Sequence, residues 1–258
     1  MPDASPRSLQ KRFPIDRHGL GRLVGAWFVL TATFSLVGAA INRWWEPSRF
    51  GRWDASVNRW FGDHRTDSWT SLAHWGSALS DTVTKVTMVV LLIPIMLWLY
   101  RRWFEWATLA VGLLLEVCVF GTASEIVGRP RPPVEQLDGA PTNSWPSGHI
   151  AASVVFYIGL AIILWTRGRT RSSRIVAVVV GVMGPTIVTS SRLYLGMHYP
   201  TDVLGGAVLG LTALLFVRYL LRQCMARQQD ESDDFDGAET TVGPQGEHPL
   251  AVVGPTPS

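Results

Sequence analysis

Long segments without charged residues constrain the fold more than any other feature of this sequence. Residues 23–42 contain no Asp, Glu, Lys or Arg, and a helix of about 20 apolar residues spans the roughly 30 Å hydrocarbon core of a membrane. Five further apolar segments have similar lengths, at residues 83–100, 106–124, 149–166, 175–192 and 202–217. The sequence therefore predicts an all-α fold, a bundle of six transmembrane helices.

The composition is typical of a membrane protein and disfavours other classes. Hydrophobic residues make up 47% of the chain and charged residues 17%, against about a quarter charged in soluble domains. The chain is therefore neither disordered throughout nor an ordinary soluble globule. Its basic residues flank apolar segments and form no continuous patch, which argues against nucleic-acid binding. A signal peptide over the first segment is disfavoured because no convincing cleavage site follows Ala40.

The distribution of basic residues predicts the orientation in the membrane. Arginines cluster in the amino-terminal segment, at residues 101–102, at 167–174 and at 218–227, and short basic loops stay in the cytoplasm. With six spans these four regions share one side, so both termini are predicted to be cytoplasmic in a plasma-membrane protein. The extracytoplasmic loops are then residues 42–82, 125–148 and 193–201.

Three regions follow from this layout. Residues 1–22 are predicted to be a basic cytoplasmic segment, residues 23–225 a six-span membrane domain and residues 226–258 a disordered cytoplasmic tail. The last prediction rests on residues 228–258, which contain seven acidic residues and no Lys or Arg, a composition that does not support a packed core. The sequence indicates neither a role for this tail nor an oligomeric state.

The first extracytoplasmic loop, residues 42–82, is rich in tryptophan. It contains six of the twelve Trp in the chain, and Trp prefers the depth of the lipid headgroups because its ring is apolar and its N–H polar. We therefore expect one or two amphipathic helices that lie on the outer membrane surface. The alternative is a small soluble lid packed by its tryptophans.

Three polar stretches lie at the predicted extracytoplasmic ends of the helices. They are residues 124–132, residues 146–149 and residues 191–202. In the second, Ser147 can cap the helix that follows and Gly148 allows a ligand to approach the backbone of a helix amino terminus, which favours anions. Arg131 and Arg192 add guanidinium groups, which match phosphate oxygens in pairs. Together these features indicate a phosphate site.

His198 and Asp202 add groups that can perform chemistry. Pro200 lies between them, so the pair is expected to straddle a turn rather than one continuous helix. A carboxylate that accepts a hydrogen bond from one imidazole nitrogen fixes the tautomer and leaves the other nitrogen free as a nucleophile. His149 could then protonate the leaving oxygen. A His–Asp pair alone is more often structural, but its convergence with a second histidine and two arginines favours catalysis.

The three stretches resemble the three-part signature of the type-2 phosphatidate phosphatase superfamily, also called lipid phosphate phosphatases. The signature reads Lys-x6-Arg-Pro, Pro-Ser-Gly-His and Ser-Arg-x5-His-x3-Asp, and residues 146–149 and 191–202 match its second and third parts completely. The resemblance covers about residues 20–225 and includes the six-span layout and outward-facing site of bacterial integral members. Vanadate-dependent haloperoxidases share the motifs, but six spans and an incomplete first part argue against that activity.

The resemblance implies a metal-independent phosphomonoesterase or pyrophosphatase that uses no cofactor and forms a phosphohistidine. In that scheme His198 attacks phosphorus, Asp202 orients His198, and His149 is the general acid for the leaving group. Water then hydrolyses the intermediate. The groups that would hold the phosphoryl oxygens, whose transition-state charge must be stabilised, are Arg131, Ser147, Gly148 and Arg192.

The first part of the signature is incomplete, because Ser124 stands where the family has a lysine. Three explanations are open. Arg129, or Lys85 near the outer end of the second span, could supply the missing charge. The substrate could need less positive charge, or the protein could be a degenerate binder of lipid phosphates.

Glu116 lies in the middle of the third predicted span. An ionisable residue inside a membrane is costly and raises a functional hypothesis by default. Because the phosphate site is predicted nearer the outer surface, a protonated or hydrogen-bonded structural role is the favoured interpretation.

The sequence thus predicts an integral membrane enzyme that removes phosphate from a lipid phosphate or pyrophosphate. By family analogy the first candidate substrate is a polyprenyl pyrophosphate, followed by phosphatidylglycerol phosphate and phosphatidate. The alternatives are a phosphotransferase with a sugar or lipid hydroxyl as acceptor, and a catalytically impaired protein that binds lipid phosphates. The expected partners are the lipid substrate and membrane lipids, with no nucleic acid, metal or cofactor.

Overall fold

The computed structural model describes residues 15–100, 103–139 and 143–241, and every regular element among them is helical. The helices are α1 (Arg17–Ala40), α2 (Arg49–Asp63), α3 (Asp67–Ala78), α4 (Thr82–Tyr100), α5 (Trp103–Val127), α6 (Gly148–Ser153), α7 (Gly159–Arg167), α8 (Arg171–Tyr194) and α9 (Pro200–Thr241). π-Helical turns extend α1 over Ile41–Trp45 and join α6 to α7 over Val154–Ile158. The predicted all-α class is confirmed.

Among the described residues, five helical segments are long and apolar enough to cross a membrane. They are Arg17–Trp45, Trp103–Val127, Gly148–Arg167, Arg171–Tyr194 and Pro200–Asp230. These segments coincide with the first, third, fourth, fifth and sixth predicted spans. The second predicted span coincides with α4, a helix of 19 residues that is not one of the five, so its crossing of the membrane stays a prediction.

The loop that the sequence predicts to be extracytoplasmic, residues 42–82, contains α2 and α3. Both helices contact α8, and their solvent-facing or lipid-facing surfaces carry exposed tryptophans, namely Trp53, Trp60, Trp69 and Trp75. On its opposite face α2 buries Asp54 and Asn58 completely. The loop is therefore packed on the helical bundle, and its location at the outer membrane surface stays a prediction.

The carboxyl-terminal helix is longer than the sequence predicts. α9 continues to Thr241, past residue 226, where a disordered tail was expected to begin. The start of that segment contains Ala, Arg, Gln and Glu, which are good helix formers and extend a helix already nucleated within the bundle. The first part of the predicted tail is therefore helical, and residues 242–258 lie outside the described residues.

The main core lies between α1, α5 and α9. Leu115 and Val119 of α5 and Leu214 of α9 belong to one buried apolar cluster. Trp145, from the segment that precedes α6, joins this cluster, and its indole Nε1 donates a hydrogen bond of 2.9 Å to the carbonyl oxygen of Phe34. This contact anchors the loop between α5 and α6 to the first helix.

Helix α6 packs against α9 with backbone nearly touching backbone. A Cβ atom added at Gly206 would lie 2.3 Å from the carbonyl oxygen of Ser147, and one added at Gly210 would lie 2.3 Å from that of Ala151. Small residues are what allow membrane helices to approach so closely. The glycines therefore fix the amino-terminal end of α6 against α9.

Replacement of Gly210 tests this packing. The Gly210→Ala variant should lower the free energy of unfolding by about 1–3 kcal/mol, because the added methyl group overpacks the α6–α9 contact. The matched control is Gly25→Ala, at a position of α1 where a Cβ meets nothing within 4 Å. Thermal unfolding of the detergent-purified variants measures both effects, and equal midpoints would contradict the packing described here.

Candidate active site

His198 lies on the short connection between α8 and α9. After α8 ends, Gly196 adopts a φ of +73°, the left-handed conformation that commonly terminates helices. The N–H of Met197 then donates to the carbonyl oxygen of Arg192 at 3.0 Å. This turn folds the chain back, so that His198 comes close to the last turn of α8. The His198 side chain is 3% exposed.

The imidazole of His198 is oriented by a backbone carbonyl. Its Nδ1 lies 2.9 Å from the carbonyl oxygen of Ser144, and because a carbonyl only accepts, Nδ1 must carry the proton and donate. The neutral ring then has its lone pair on Nε2. Ser144 is itself held by two hydrogen bonds, from its N–H to the carbonyl of Arg129 at 2.9 Å and from its hydroxyl to that of Pro130 at 3.0 Å.

Asp202 does not form the direct hydrogen bond with His198 that the sequence predicts. Its carboxylate lies 3.9 Å from Nδ1 of His198, which is too long for a hydrogen bond. Instead Oδ2 accepts from the N–H of Tyr199 at 2.8 Å and Oδ1 accepts from Arg129 at 2.5 Å. Because His198 lies before Pro200 and Asp202 lies in the first turn of α9, the carboxylate caps this turn, and the carbonyl oxygen of Ser144 accepts the hydrogen bond from Nδ1–H of His198.

Arg129 is held in a buried network of charges. Its guanidinium donates to Asp202, to Asp54 at 3.1 Å and to the hydroxyl of Thr201 at 2.8 Å, and the three charged side chains are completely buried. The guanidinium carbon also lies 4.2 Å from the ring centroid of Tyr199. Arg129 is therefore committed to two carboxylates, which disfavours the predicted role of Arg129 as a replacement for the missing motif lysine.

Two residues of α2 support this network and were missed by sequence reasoning. Asp54 also accepts hydrogen bonds from the N–H and hydroxyl of Thr201, at 3.0 and 2.5 Å. Asn58, one turn later on the same buried face, donates to the backbone carbonyl of His198 at 2.9 Å. The four-residue spacing of Asp54 and Asn58 places them on the same face of an amphipathic helix. This pattern could have indicated a shared role, but it does not identify the residues that they contact.

Arg192 lies within hydrogen-bonding distance of two groups at the site. Its Nη1 donates to Asp138 at 2.5 Å and to the hydroxyl of Ser77 at 2.9 Å, and the arginine is 1% exposed. Asp138, in the loop that follows α5, is one-third exposed. A carboxylate thus lies against a guanidinium that the sequence assigns to phosphate.

Arg131 and His198 are electrostatically coupled to Arg192. Nη1 of Arg131 donates to the carbonyl of Met197 at 2.5 Å. Burial, together with the positive charge of Arg192, lowers the pKa of Arg131 to about 10, so Arg131 remains protonated at neutral pH. Burial and the charges of Arg192 and Arg131 also lower the pKa of His198 well below its usual value of 6.5. The resting imidazole is therefore neutral, as a nucleophile requires.

The Pro-Ser-Gly-His stretch forms the start of α6. Ser147 is its N-cap, is completely buried, and accepts from the N–H of Ile150 at 3.5 Å. Gly148 is buried against the ring of Phe120. His149 points to the carboxylate of Asp81, 3.0 Å from its Nε2. Asp81, like Asp54 and Asp138, was not among the site residues predicted from the sequence.

The other residues singled out in the sequence lie on α4 and α5. Ser124 is 2% exposed in the last turns of α5, and its hydroxyl has no partner among the described residues. Glu116 is also 2% exposed. It lies eight residues before Ser124 on α5, which is about 12 Å along the helix axis at 1.5 Å per residue. Lys85 lies near the start of α4, and its side chain lies outside the described residues.

The site therefore combines a neutral histidine, two arginines, a second histidine and a helix start. An imidazole nitrogen with a free lone pair can attack an electrophilic centre, and guanidinium groups stabilise negative charge that develops on phosphoryl oxygens. Within the parts of the chain that the structure describes, no group of three His, Cys, Asp or Glu side chains could hold a metal ion.

Sequence comparison relates this chain to known phosphatases. Residues 105–226 match the PAP2 superfamily. The chain is 31% identical over 152 residues to the Escherichia coli protein named "Putative undecaprenyl-diphosphatase YbjG", over 55% of this chain and 72% of that protein. It is 30% identical over 158 residues to phosphatidylglycerophosphatase B of Bacillus subtilis, over 58% of this chain and 71% of that protein.

Structural comparison finds the same fold. The crystal structure of a transmembrane PAP2-type phosphatidylglycerolphosphate phosphatase from Bacillus subtilis superposes with a TM-score of 0.64. The match covers 85% of this chain and 98% of that chain at 20% sequence identity. At this identity the likeness concerns the fold and not the substrate.

The assignment of Arg129 to structure rather than substrate binding is tested by Arg129→Gln. This change leaves Asp54 and Asp202 buried without a counter-charge, and should lower the free energy of unfolding by about 3–5 kcal/mol. Thermal unfolding in detergent measures the loss, with Arg59→Gln at an exposed position of α2 as the control. An unchanged unfolding midpoint for Arg129→Gln would show that the buried network does not stabilise the protein.

Proposed function

Since the chain belongs to the PAP2 superfamily, we propose that it is a membrane phosphatase that hydrolyses a lipid phosphate or pyrophosphate. One observation carries the proposal. His198 is buried and neutral, its Nδ1 proton is fixed on the Ser144 carbonyl, and its Nε2 is left as a nucleophile beside Arg131 and Arg192. A neutral imidazole with a free Nε2 beside two guanidinium groups favours nucleophilic attack on a phosphoryl group over a purely structural role for His198.

In the proposed reaction, Nε2 of His198 attacks phosphorus. A P–N bond forms while the P–O bond to the leaving group breaks, and His149 protonates the leaving oxygen. Asp81, 3.0 Å from His149, holds that imidazole in place. Water then attacks the phosphohistidine, with His149 accepting its proton, so that inorganic phosphate leaves and His198 returns to its neutral form. No step of this scheme calls for a metal ion.

The phosphoryl oxygens are assigned to Arg131, Arg192 and the start of α6 at Ser147 and Gly148. Because Arg192 contacts Asp138 in the resting structure, the substrate phosphate must displace that carboxylate. Asp202 acts indirectly, through Arg129 and the first turn of α9. We therefore assign it a positioning role.

Two of the three explanations for the missing motif lysine are compatible with an active enzyme. Lys85 is retained as a candidate for the absent charge, and the other possibility is that Arg131 and Arg192 suffice for the substrate. The third explanation, an impaired protein that binds lipid phosphates without turnover, is an outcome of the assay below.

Apolar grooves beside the site support a lipid substrate. One, of about 820 Å³, runs between α1 and α9 and reaches Trp145 and Thr201. Another, of about 680 Å³, lies between α2, α3 and α8 and reaches Ser191. By the names of its relatives, the first substrate class that we propose is a polyprenyl pyrophosphate, followed by phosphatidylglycerol phosphate and phosphatidate.

We further propose that α4 is a sixth span, with the site on the extracytoplasmic side. The proposed catalytic groups lie at one end of the bundle, at the start of α6 and between α8 and α9. The loop between α7 and α8, at the other end, is basic, which favours the cytoplasm. Residues 1–22 and 226–258 are then cytoplasmic extensions of a membrane domain formed by residues 23–225.

The activity is tested with detergent-purified protein and a panel of lipid phosphates and pyrophosphates, with and without a chelator. Phosphate release should be retained with chelator and should fall at least about a thousandfold in His198→Ala, because the nucleophile is lost. His18→Ala, at an exposed position of α1, is the control. Undiminished release by His198→Ala would refute the mechanism, and transfer of labelled phosphate to an added alcohol would indicate a phosphotransferase.

The ionisation of His198 gives a second, independent prediction. Its lowered pKa means that the ring stays neutral as the pH falls to 6.5 and is protonated only further below. Ring ¹⁵N chemical shifts, assigned by comparison with His198→Ala, should show the Nδ1–H tautomer at pH 6.5. A half-protonated ring at that pH, or an Nε2–H tautomer, would contradict the geometry with Ser144.

A further inference from the structure

A charged cavity lies at the end of the bundle opposite the proposed active site. It has a volume of about 470 Å³ and is lined by the start of α5, the end of α7 and the part of α9 around residues 218–229. Glu105 in its wall and Ser124 near the active site are separated along α5 by about 28 Å at 1.5 Å per residue. This distance is close to the roughly 30 Å thickness of a hydrocarbon core, which places the cavity at the level of the other layer of headgroups.

The wall of this cavity has an excess of positive charge. Arg167, Arg218 and Arg222 line it together with a single acid, Glu105. Arg218 lies with its guanidinium carbon 5.7 Å from the ring centroid of Phe104. Neither Arg218 nor Arg222 forms a salt bridge with any side chain in the described part of the chain. Two positive charges are therefore available to an anion in the cavity.

Glu105 supplies a second and independent indication of a ligand. It is 3% exposed. Its Oε1 accepts a hydrogen bond of 2.7 Å from Nε of Arg167 and forms a salt bridge with Nη2 of the same residue. Its Oε2 has no hydrogen-bond partner among the described residues. A buried carboxylate oxygen without a donor is costly and uncommon. The wall of the cavity thus combines cations for an anion with a buried carboxylate oxygen that lacks a donor.

We propose that this cavity binds the headgroup of a glycerophospholipid of the membrane leaflet opposite the active site. The phosphodiester lies on Arg218 and Arg222, and a hydroxyl or ammonium group of the same headgroup donates to Oε2 of Glu105. This ligand matches both features of the wall, since it carries a phosphate and a hydrogen-bond donor a few bonds apart. The binding is independent of the proposed phosphatase chemistry, because the site shares no residue with it.

Native mass spectrometry of the detergent-purified full chain tests the proposal by lipid titration. Phosphatidylethanolamine and phosphatidylglycerol should each bind at least about tenfold more tightly than phosphatidylcholine, whose quaternary ammonium has no N–H to donate to Glu105. Arg222→Gln, at an exposed position that should not affect folding, should remove most of this binding, and Arg218→Gln should act in the same direction.

Two control variants locate the bound lipid. Arg171→Gln, at an exposed position at the start of α8 outside the cavity, should bind these lipids as the unchanged chain does. Arg131→Gln, at the proposed active site, should also leave their binding unchanged. Loss of binding in Arg131→Gln together with retention in Arg222→Gln would place the lipid at the active site and overturn the proposal.

Further outcomes distinguish a lipid from a smaller anion. Inorganic phosphate at millimolar concentration should not displace bound phosphatidylglycerol. Displacement by phosphate would show that the cavity is a site for a free anion, and equal binding of phosphatidylcholine would show that Glu105 does not select a donor. Either result contradicts a headgroup site of the kind described here, whatever the phosphatase assay shows.

Discussion

The structure of the site depends on the burial of Arg129 between Asp54 and Asp202. Removal of charges from water costs several kcal/mol per ion unless each is paired and hydrogen-bonded, and Arg129 donates to both carboxylates through its two Nη atoms. Asp54 accepts from Arg129 and twice from Thr201, and Asp202 accepts from Arg129 and from the N–H of Tyr199. The network joins α2, the segment after α5 and the first turn of α9, which are distant in sequence.

The orientation of the proposed nucleophile follows from this network. The backbone carbonyl of Arg129 accepts from Ser144, whose own carbonyl accepts from Nδ1 of His198. Asn58, on the same face of α2 as Asp54, holds the carbonyl of His198 from the other side. An imidazole supported in this way has little freedom to rotate, and preorganisation of this kind costs nothing at the moment of reaction.

The sequence predicted those features that are encoded locally. Five of the six predicted apolar segments, each of 16 to 20 residues, coincide with the five candidate spans. The spacing of Arg192 and His198 identified two groups that one turn brings together. Asp54 and Asn58 could not be placed in the same way, because their partners lie far along the chain and only folding brings them near. Arg129 was considered as a phosphate ligand because it adjoins the motif, but burial assigns it to the two carboxylates.

The balance of charge at the site bears on which anions it can accept. Arg131 and Arg192 are near enough for the charge of one to lower the pKa of the other, so an empty pocket is electrostatically unfavourable. Asp138 offsets part of this repulsion by contact with Arg192. A carboxylate carries one negative charge. A phosphomonoester carries up to two negative charges and a pyrophosphate more, and both have oxygens for both guanidinium groups. A phosphoryl group of this kind can therefore displace Asp138, whereas a phosphodiester with a single charge has no such electrostatic advantage over it.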